Sequence, residues 1–235
     1  MSTTHSGHQG AAGSSSGVNP SVPLVCIHGL AGSSAWWAGV SAELGQVGPL
    51  YPLDLPRSLQ PEELPAWVVE HLAQSHVPGP VDLVGHSLGA LVALRVAAAH
   101  PELVRRLILI SPPGITPRRS ALTFGWPLVA SLARARPTFL VRLAVDASRA
   151  GPANILRGAR HVASADVKVE AQKVVAPTLL VWGAGDRLVP SAAAVRWLEV
   201  LANARLHIIA TAAHVPMVEA PEELAVVIGK FRDER

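Results

Sequence analysis

Residues 85–89, Gly-His-Ser-Leu-Gly, decide the fold of this chain, because they stand between a strand pattern and a helix pattern. Residues 81–84 before them read Val-Asp-Leu-Val, and residues 88–100 after them are rich in alanine, leucine and valine. A G-x-S-x-G motif in this context predicts a sharp strand-to-helix turn that exposes the hydroxyl of Ser87. The two glycines leave space where a Cβ atom would collide with the neighbouring strand or helix.

A glycine-rich stretch upstream supplies a second motif. Residues 23–27, Pro-Leu-Val-Cys-Ile, are typical of a buried strand and lead into residues 28–32, His-Gly-Leu-Ala-Gly. Such a loop can direct a backbone N–H group to the place where negative charge develops during a reaction. We therefore predict an oxyanion hole made by the backbone N–H groups of Leu30 and of Leu88, the residue after the serine.

Two motifs downstream each place a polar residue after a strand pattern. The apolar run 178–183 is followed by Asp186, and the run 206–209 is followed by His214. The chain order Ser87, Asp186, His214 predicts a catalytic triad. In this triad the serine is the nucleophile, the histidine is the general base and the aspartate orients the imidazole ring.

These four motifs, in this order, resemble those of the α/β-hydrolase superfamily, in its small single-domain, esterase-like branch. The likeness runs from about Val22 to Phe231. The resemblance implies a serine hydrolase that cleaves a carboxylic ester through an acyl-enzyme on Ser87 and needs no cofactor. It also implies a small-molecule ester as substrate, with an anionic or carrier-protein-linked ester as an open alternative.

Other functions remain open at this point. The same triad can serve a C–C bond hydrolase or lyase, or an acyl thioesterase acting on a carrier-protein-linked chain, with an anionic substrate held by arginines. Some members of the superfamily keep the triad and act as small-molecule receptors. A serine in place of an aspartate nucleophile argues against dehalogenase and epoxide hydrolase chemistry.

The alternation of strand and helix patterns predicts an α/β fold, a doubly wound and mostly parallel sheet covered by helices on both faces. We expect about six strands, near residues 23–27, 48–53, 80–85, 105–110, 177–183 and 205–210. We expect helices near residues 35–45, 61–75, 88–100, 191–202 and 219–231. The antiparallel strand pair with which many relatives begin is expected to be absent.

The chain divides into three parts. Residues 1–20 are rich in serine, glycine and threonine, lack an apolar signal-peptide core, and are predicted to form a disordered tail. Residues 21–111 and 177–235 are predicted to form the α/β-hydrolase core. Residues 112–176 interrupt the alternation and contain several prolines, so we predict a helical cap over the active site.

The predicted cap is the most strongly basic part of the chain by net charge. Residues 111–165 contain one acid, Asp146, and eight arginines, which are Arg118, Arg119, Arg134, Arg136, Arg142, Arg149, Arg157 and Arg160. The whole chain has a formal net charge of only +3. These arginines are either solvated helix faces or a binding surface for an anionic substrate or an acidic partner.

Several aromatic and aliphatic residues are candidates for binding substrate. They are Trp36, Trp37, Trp126, Val189 and Val215. His28 is expected to fix the oxyanion loop by hydrogen bonds, and His86 is expected to pack beside the nucleophile.

The composition limits the remaining functions. Hydrophobic residues make up 49% of the chain, but no apolar run is long enough for a membrane span. The single cysteine, Cys26, excludes an intramolecular disulfide and is typical of a reducing compartment, so we expect a cytoplasmic protein. The scattered histidines match no metal-binding motif, and we expect neither a metal nor a nucleic-acid partner. The oligomeric state is left open.

Overall fold

A six-stranded parallel sheet forms the centre of the molecule. The computed structural model describes residues 22–45, 50–115 and 137–234. The strands are β1 (Leu24–Ile27), β2 (Leu50–Leu53), β3 (Val81–His86), β4 (Val104–Ile110), β5 (Thr178–Gly183) and β6 (Ala204–Ile209). Their order across the sheet is β2-β1-β3-β4-β5-β6. The prediction of a doubly wound, mostly parallel sheet of about six strands is confirmed.

Nine α-helices are seen in the described residues. They are α1 (Ala38–Leu44), α2 (Leu64–Gln74), α3 (Leu88–Ala99), α4 (Pro137–Ala150), α5 (Pro152–Ser164), α6 (Lys168–Ala171), α7 (Ala194–Val200), α8 (Pro216–Glu219) and α9 (Pro221–Asp233). Within these ranges, no helix is both long enough and apolar enough to cross a membrane.

The helices form two layers because each central strand is apolar on both faces. In β4, Leu107 and Leu109 pack against the layer of α2, α3, α6 and α7. Ile108 and Ile110, which alternate with them, pack against the layer of α1 and α9. Burial on both faces is what a parallel sheet between two helical layers requires. Helix α3 is apolar all round and is buried along most of its length.

The order of the strands locates a binding region. The chain passes from β1 outward to β2 and then returns to β3 on the other side of β1. Ligands of such sheets bind outside the carboxyl ends of the strands, where the direction of winding reverses. The loop of residues 28–32 and Ser87 follow the two strands that flank this point.

Helices α4, α5 and α6 lie between β4 and β5 in the sequence, within the predicted cap. Gly151 joins α4 to α5 with a φ of 77°, a conformation that a side chain disfavours. The first part of the predicted cap, with Trp126, Arg118, Arg119, Arg134 and Arg136, lies outside the described residues, as does the predicted N-terminal tail.

The amino end of the sheet is held by a buried ionic cluster. Asp82 in β3 is fully buried and its Oδ1 accepts a hydrogen bond of 2.8 Å from Arg105 Nε. Its Oδ2 accepts one of 2.7 Å from Arg232 Nε in α9. Arg232 also donates to the carbonyl of Val22. The cluster therefore ties the last helix to β3 and to the residue that leads into the first strand.

Candidate active site

Ser87 lies on a strained turn at the carboxyl end of β3. Its φ of 51° and ψ of −114° belong to a region that residues other than glycine seldom adopt. Its N–H donates a hydrogen bond of 2.9 Å to the Ile110 carbonyl. A Cβ at position 85 would lie 2.3 Å from the Gly89 carbonyl oxygen, and one at position 89 would lie 2.5 Å from that of Ile27. Only glycine fits at either position.

Asp186 and His214 are joined by a hydrogen bond of 2.9 Å between Oδ2 of the aspartate and Nδ1 of the imidazole. Oδ1 of Asp186 accepts two more hydrogen bonds, each of 2.9 Å, from the N–H groups of Leu188 and Val189. Three donors therefore fix the orientation of a carboxylate that is only 5% exposed.

The loops that carry Asp186 and His214 are pinned to each other. The N–H of Gly185 donates a hydrogen bond of 2.9 Å to the Ala212 carbonyl. Glu219 Oε2 accepts hydrogen bonds from the N–H groups of Ala213 and Val215, on either side of the histidine. The position of the imidazole is thus set by the backbone of both loops.

The two partners shift each other's pKa in opposite directions. Burial alone would raise the pKa of Asp186, but the interaction with His214 and the hydrogen bonds it accepts lower it. Burial alone would lower the pKa of His214, but the charge of Asp186 and its hydrogen bond raise it. Asp186 is therefore ionised at neutral pH, and the neutral imidazole carries its proton on Nδ1 and leaves Nε2 free to accept one.

The described residues include no hydrogen bond between the Ser87 hydroxyl and the His214 ring. In unliganded enzymes such bonds are often long or poorly aligned, and they tighten when substrate binds.

His86 links the serine to the histidine loop. Its Nε2–H donates a hydrogen bond of 2.8 Å to the His214 carbonyl, and the two ring centroids are 4.9 Å apart. Burial, together with the neighbouring His214, lowers the pKa of His86 to about 3. It is therefore neutral and acts as a fixed support for the loop of His214.

The loop of residues 28–32, called the oxyanion loop after its predicted role, lies beside the serine. A Cβ at position 29 would lie 3.3 Å from the Ser87 Cβ and 2.7 Å from the ring of His86. His28 holds the loop, since its Nε2 accepts a hydrogen bond of 3.1 Å from Leu55 N–H and its Nδ1–H donates one of 2.8 Å to the Gly29 carbonyl. Burial lowers the pKa of His28, so this arrangement persists at neutral pH.

Two backbone donors are available at this place. Leu88 is the first residue of α3, and Leu30 lies at the middle of the oxyanion loop. Within the described residues, neither of these N–H groups is engaged by a backbone carbonyl. They are the two N–H groups that were predicted from the sequence to form the oxyanion hole.

Two carboxylates anchor the segment that follows the oxyanion loop. Asp54 accepts hydrogen bonds of 2.7 and 2.8 Å from the N–H and hydroxyl of Ser34. Asp146 of α4 accepts hydrogen bonds from Ser33 Oγ at 2.9 Å and Trp36 Nε1 at 3.0 Å.

A cavity of about 70 Å³ opens between the oxyanion loop, the segment 55–64 and the cap helices. Leu88 contributes to its wall, and Ala150, Asn154, Arg157 and Gly158 contribute from the cap. Its walls are mainly apolar, and two cations, Arg57 and Arg157, lie among its lining residues. Ser87, Asp186 and His214 are not among its lining residues, but Gly29, which packs against Ser87, and Leu88, which follows it, are. The cavity is therefore a candidate substrate site because it adjoins the serine.

Of the residues predicted to bind substrate, Trp36, Trp37, Val189 and Val215 do not line this cavity, and Trp126 lies outside the described residues. Trp37 is fully buried in the core, and Trp36 packs edge-on against Phe139 with ring centroids 5.1 Å apart. The N–H of Val189 donates a hydrogen bond to Asp186, and Val215 is half-buried next to His214 in the sequence. Indole rings and aliphatic side chains pack equally well in a core, so their sequence pattern does not separate the two roles.

Sequence reasoning did not find two residues that support the site, Glu219 and Asp146. A signal existed for Asp146, which is the one acid among the eight arginines of residues 111–165. Of those arginines, Arg142, Arg149 and Arg160 are exposed, and Arg157 is half-buried. Within the described part of the chain, no three histidine, cysteine, aspartate or glutamate side chains group as metal ligands.

Curated relatives resemble the chain along most of its length. A pimeloyl-[acyl-carrier protein] methyl ester esterase from Nitrosomonas europaea is 27% identical over 230 residues, covering 85% of this chain and 91% of that protein. A 2-hydroxymuconate semialdehyde hydrolase from Pseudomonas putida is 29% identical over 174 residues, covering 64% of this chain and 61% of that protein.

Solved structures agree on the fold. The esterase EaEST from Exiguobacterium antarcticum superposes with a TM-score of 0.77 at 19% identity, covering 91% of this chain and 92% of that one. A sequence model of the alpha/beta hydrolase family matches residues 24–227. The chain therefore belongs to the alpha/beta hydrolase family.

Proposed function

We propose that this protein is a serine hydrolase that cleaves a carboxylic ester through an acyl-enzyme on Ser87. The observation that carries the proposal is the buried Asp186–His214 hydrogen bond of 2.9 Å, which lies at the same edge of the sheet as the Ser87 turn. The methyl ester esterase among the relatives supports an ester as the substrate class.

The reaction begins with the transfer of the Ser87 hydroxyl proton to Nε2 of His214 as the oxygen attacks the acyl carbon. The carbonyl oxygen then becomes an oxyanion, which the N–H groups of Leu30 and Leu88 stabilise. The imidazolium gives its proton to the departing alkoxide, and an acyl-enzyme remains on the serine. Water loses a proton to His214 as it attacks the acyl carbon, and the imidazolium returns that proton to the Ser87 oxygen as the acyl–oxygen bond breaks and the acid leaves. Asp186 stabilises the imidazolium in both halves of the reaction.

Turnover of p-nitrophenyl butyrate tests this proposal. The Ser87→Ala variant should lose roughly 10⁵-fold or more in kcat, because no nucleophile remains. Ser148→Ala is the control, since Ser148 is exposed on α4, its hydroxyl donates to the Val145 carbonyl of the same helix, and it does not line the cavity. Undiminished hydrolysis by Ser87→Ala would contradict the proposal.

The number of turnovers separates an enzyme from a receptor. An enzyme releases p-nitrophenol far beyond one equivalent, because water regenerates the serine. A protein that bears the triad but serves as a small-molecule receptor would stop after a slow release of about one equivalent. Comparison with a thioester of the same acyl chain then defines the preferred bond.

A second candidate substrate class, an anionic ester, is favoured by the charge of the cavity. Arg157 of α5 is half-buried in its wall, and Arg57 of the segment 55–64, which is exposed, also lines it. Guanidinium groups recognise carboxylates by paired hydrogen bonds. The 2-hydroxymuconate semialdehyde hydrolase among the relatives acts on a compound named as a carboxylate, which supports this class and keeps C–C bond cleavage as an alternative.

The anionic class predicts a charge-dependent reaction. Arg157→Gln should lower kcat/KM for a half-ester of a dicarboxylic acid by about tenfold and leave a neutral ester of equal length unchanged. Arg160→Gln, in the same helix but exposed and outside the cavity lining, is the matched control. If Arg157→Gln lowered kcat/KM equally for both esters, Arg157 would not recognise the anionic group, and a neutral ester would remain the proposed substrate.

A further inference from the structure

Asp146 is an unusual residue of the cap, because its carboxylate is turned inward. It lies in α4, is only 3% exposed, and uses one oxygen, Oδ2, to accept hydrogen bonds from Ser33 Oγ and Trp36 Nε1. Within the described residues, no arginine or lysine nitrogen lies within 4 Å of this carboxylate. Among the described residues, the Ser33 hydroxyl and the Trp36 indole N–H are therefore the donors that compensate the burial of this carboxylate.

Both donors belong to the segment that leaves the oxyanion loop. Ser33 directly follows Gly32, the last residue of the loop, and Trp36 lies one turn further in the short helix before α1. The hydrogen bonds span 113 and 110 residues of sequence, so they tie the cap to the body of the protein.

A second contact joins the cap to the same loop. The Leu30 side chain occupies the space that Gly158 leaves open on α5, since a Cβ at position 158 would lie 2.4 Å from Leu30 Cδ1. Leu30 is the residue that offers one of the two oxyanion donors. The loop is therefore held from α4 by a hydrogen-bonded carboxylate and from α5 by packing.

The two proposed oxyanion donors differ in how they are fixed. The Leu88 N–H begins a helix that is buried in the core, so its position follows from the fold. The Leu30 N–H lies on a loop, and its position depends on what anchors that loop. An oxyanion donor acts only within a narrow range of distance, and a displacement of about 1 Å can cost about a hundredfold in rate.

We infer that Asp146 is a positioning residue that holds the oxyanion loop in its competent conformation and thereby couples the cap to catalysis. The inference rests on the proposed function. Asp146 touches neither the serine nor the imidazole, and it acts through Ser33 and Trp36. Any movement of α4 away from the body would break both hydrogen bonds and remove one of the anchors of the loop, while those of His28 and Asp54 remain.

Hydrolysis of p-nitrophenyl acetate tests the inference, because this ester is too small to need the cap for binding. Asp146→Leu should lower kcat and kcat/KM together by at least about tenfold, since the loss arises in the transition state. Asp146→Asn should stay within about threefold of the wild type, because an amide oxygen in the place of Oδ2 accepts both hydrogen bonds. Ser33→Ala, which removes one donor and keeps the carboxylate, should give an intermediate loss.

Asp82→Asn is the control for a purely structural effect. Asp82 is also a buried carboxylate with two side-chain partners, but it lies at the amino end of the sheet. The Asp82→Asn substitution should lower the melting temperature and leave kcat unchanged below the unfolding transition. If Asp146→Leu and Asp82→Asn lost kcat in proportion to their loss of stability, Asp146 would be only structural and the inference would fail.

Four further outcomes are decisive. Wild-type kcat in a folded Asp146→Leu variant would overturn the inference, as would a loss confined to the KM of long-chain esters, which would mean that Asp146 shapes the substrate cavity. If Asp146→Leu does not fold, a Ser33→Ala variant with wild-type kcat overturns it. A wild-type protein inert to both p-nitrophenyl acetate and fluorophosphonate would remove the proposed function itself, and the inference with it.

Discussion

Two buried aspartates lie at opposite ends of the same sheet, and they differ in their partners. Asp82, in β3, is bound by the guanidinium groups of Arg105 and Arg232 near the amino ends of the strands. Asp186, beyond the carboxyl end of β5, is bound by one imidazole and two backbone N–H groups. Both carboxylates are almost completely shielded from water.

The partner decides what a buried carboxylate can do. A guanidinium group keeps its proton at every accessible pH, so the cluster at Asp82 can only hold charge and join elements. An imidazole takes up and releases a proton near neutral pH, so the pair of Asp186 and His214 can move one. The strained backbone of Ser87 lies at the end of the sheet that has the titratable pair. On the proposed function, one end of the sheet therefore contributes stability and the other contributes the catalytic groups.

The sharpest test of this contrast is the Asp186→Asn variant. We expect kcat for an ester to fall by about 10³–10⁴-fold, because the amide no longer selects the correct imidazole tautomer or stabilises the imidazolium. Steady-state kinetics with p-nitrophenyl butyrate measures this loss. A loss of less than about tenfold would mean that another group orients His214.

The second test is the opposite change, Asp82→Asn. We expect the free energy of unfolding to fall by about 3 kcal/mol and the melting temperature by roughly 10 °C, because two arginines lose a buried counter-charge. Thermal and urea unfolding measure the loss, and ester kinetics at 25 °C should stay at the wild-type level. A drop in kcat as large as that of Asp186→Asn would abolish the distinction between the two ends.

The pH profile gives a smaller but more specific effect. Protonated His214 cannot accept the serine proton, so kcat/KM falls as the pH drops through the pKa of this imidazole. Because Asp186 raises that pKa above the ordinary 6.5, the fall begins at a higher pH than for a free imidazole. Asp186→Asn should move the acidic limb to lower pH, and Asp82→Asn should leave it in place. If the acidic limb kept its position in Asp186→Asn, a group other than His214 would be responsible for it.

Most of the fold could be predicted from local sequence patterns. The apolar runs fixed the strands, and the glycines at 85 and 89 identified the turn of Ser87, because close backbone approach there excludes every other residue. The chain order of Asp186 and His214 sufficed to propose the pair that the structure places 2.9 Å apart. Each of these signals lies within a few residues of the feature that it predicts.

The supporting contacts could not be predicted in the same way. Asp146 meets Ser33 and Trp36 across more than a hundred residues, and no periodicity connects them. Among the cap arginines, the sequence could not separate Arg157, which lines the cavity, from Arg142, which is exposed, because both lie on amphipathic helices. Tertiary packing alone decides which side of such a helix faces the site.

Covalent labelling of Ser87 tests the central claim most directly. A fluorophosphonate needs an activated serine and an oxyanion hole, and it leaves a stable adduct whose position peptide mass spectrometry can assign. We predict one adduct per chain, on Ser87, formed at the wild-type rate in Asp82→Asn, much more slowly in Asp186→Asn, and not at all in Ser87→Ala. A folded wild-type protein that forms no adduct, or forms it on a different residue, would contradict the assignment of Ser87 as the nucleophile.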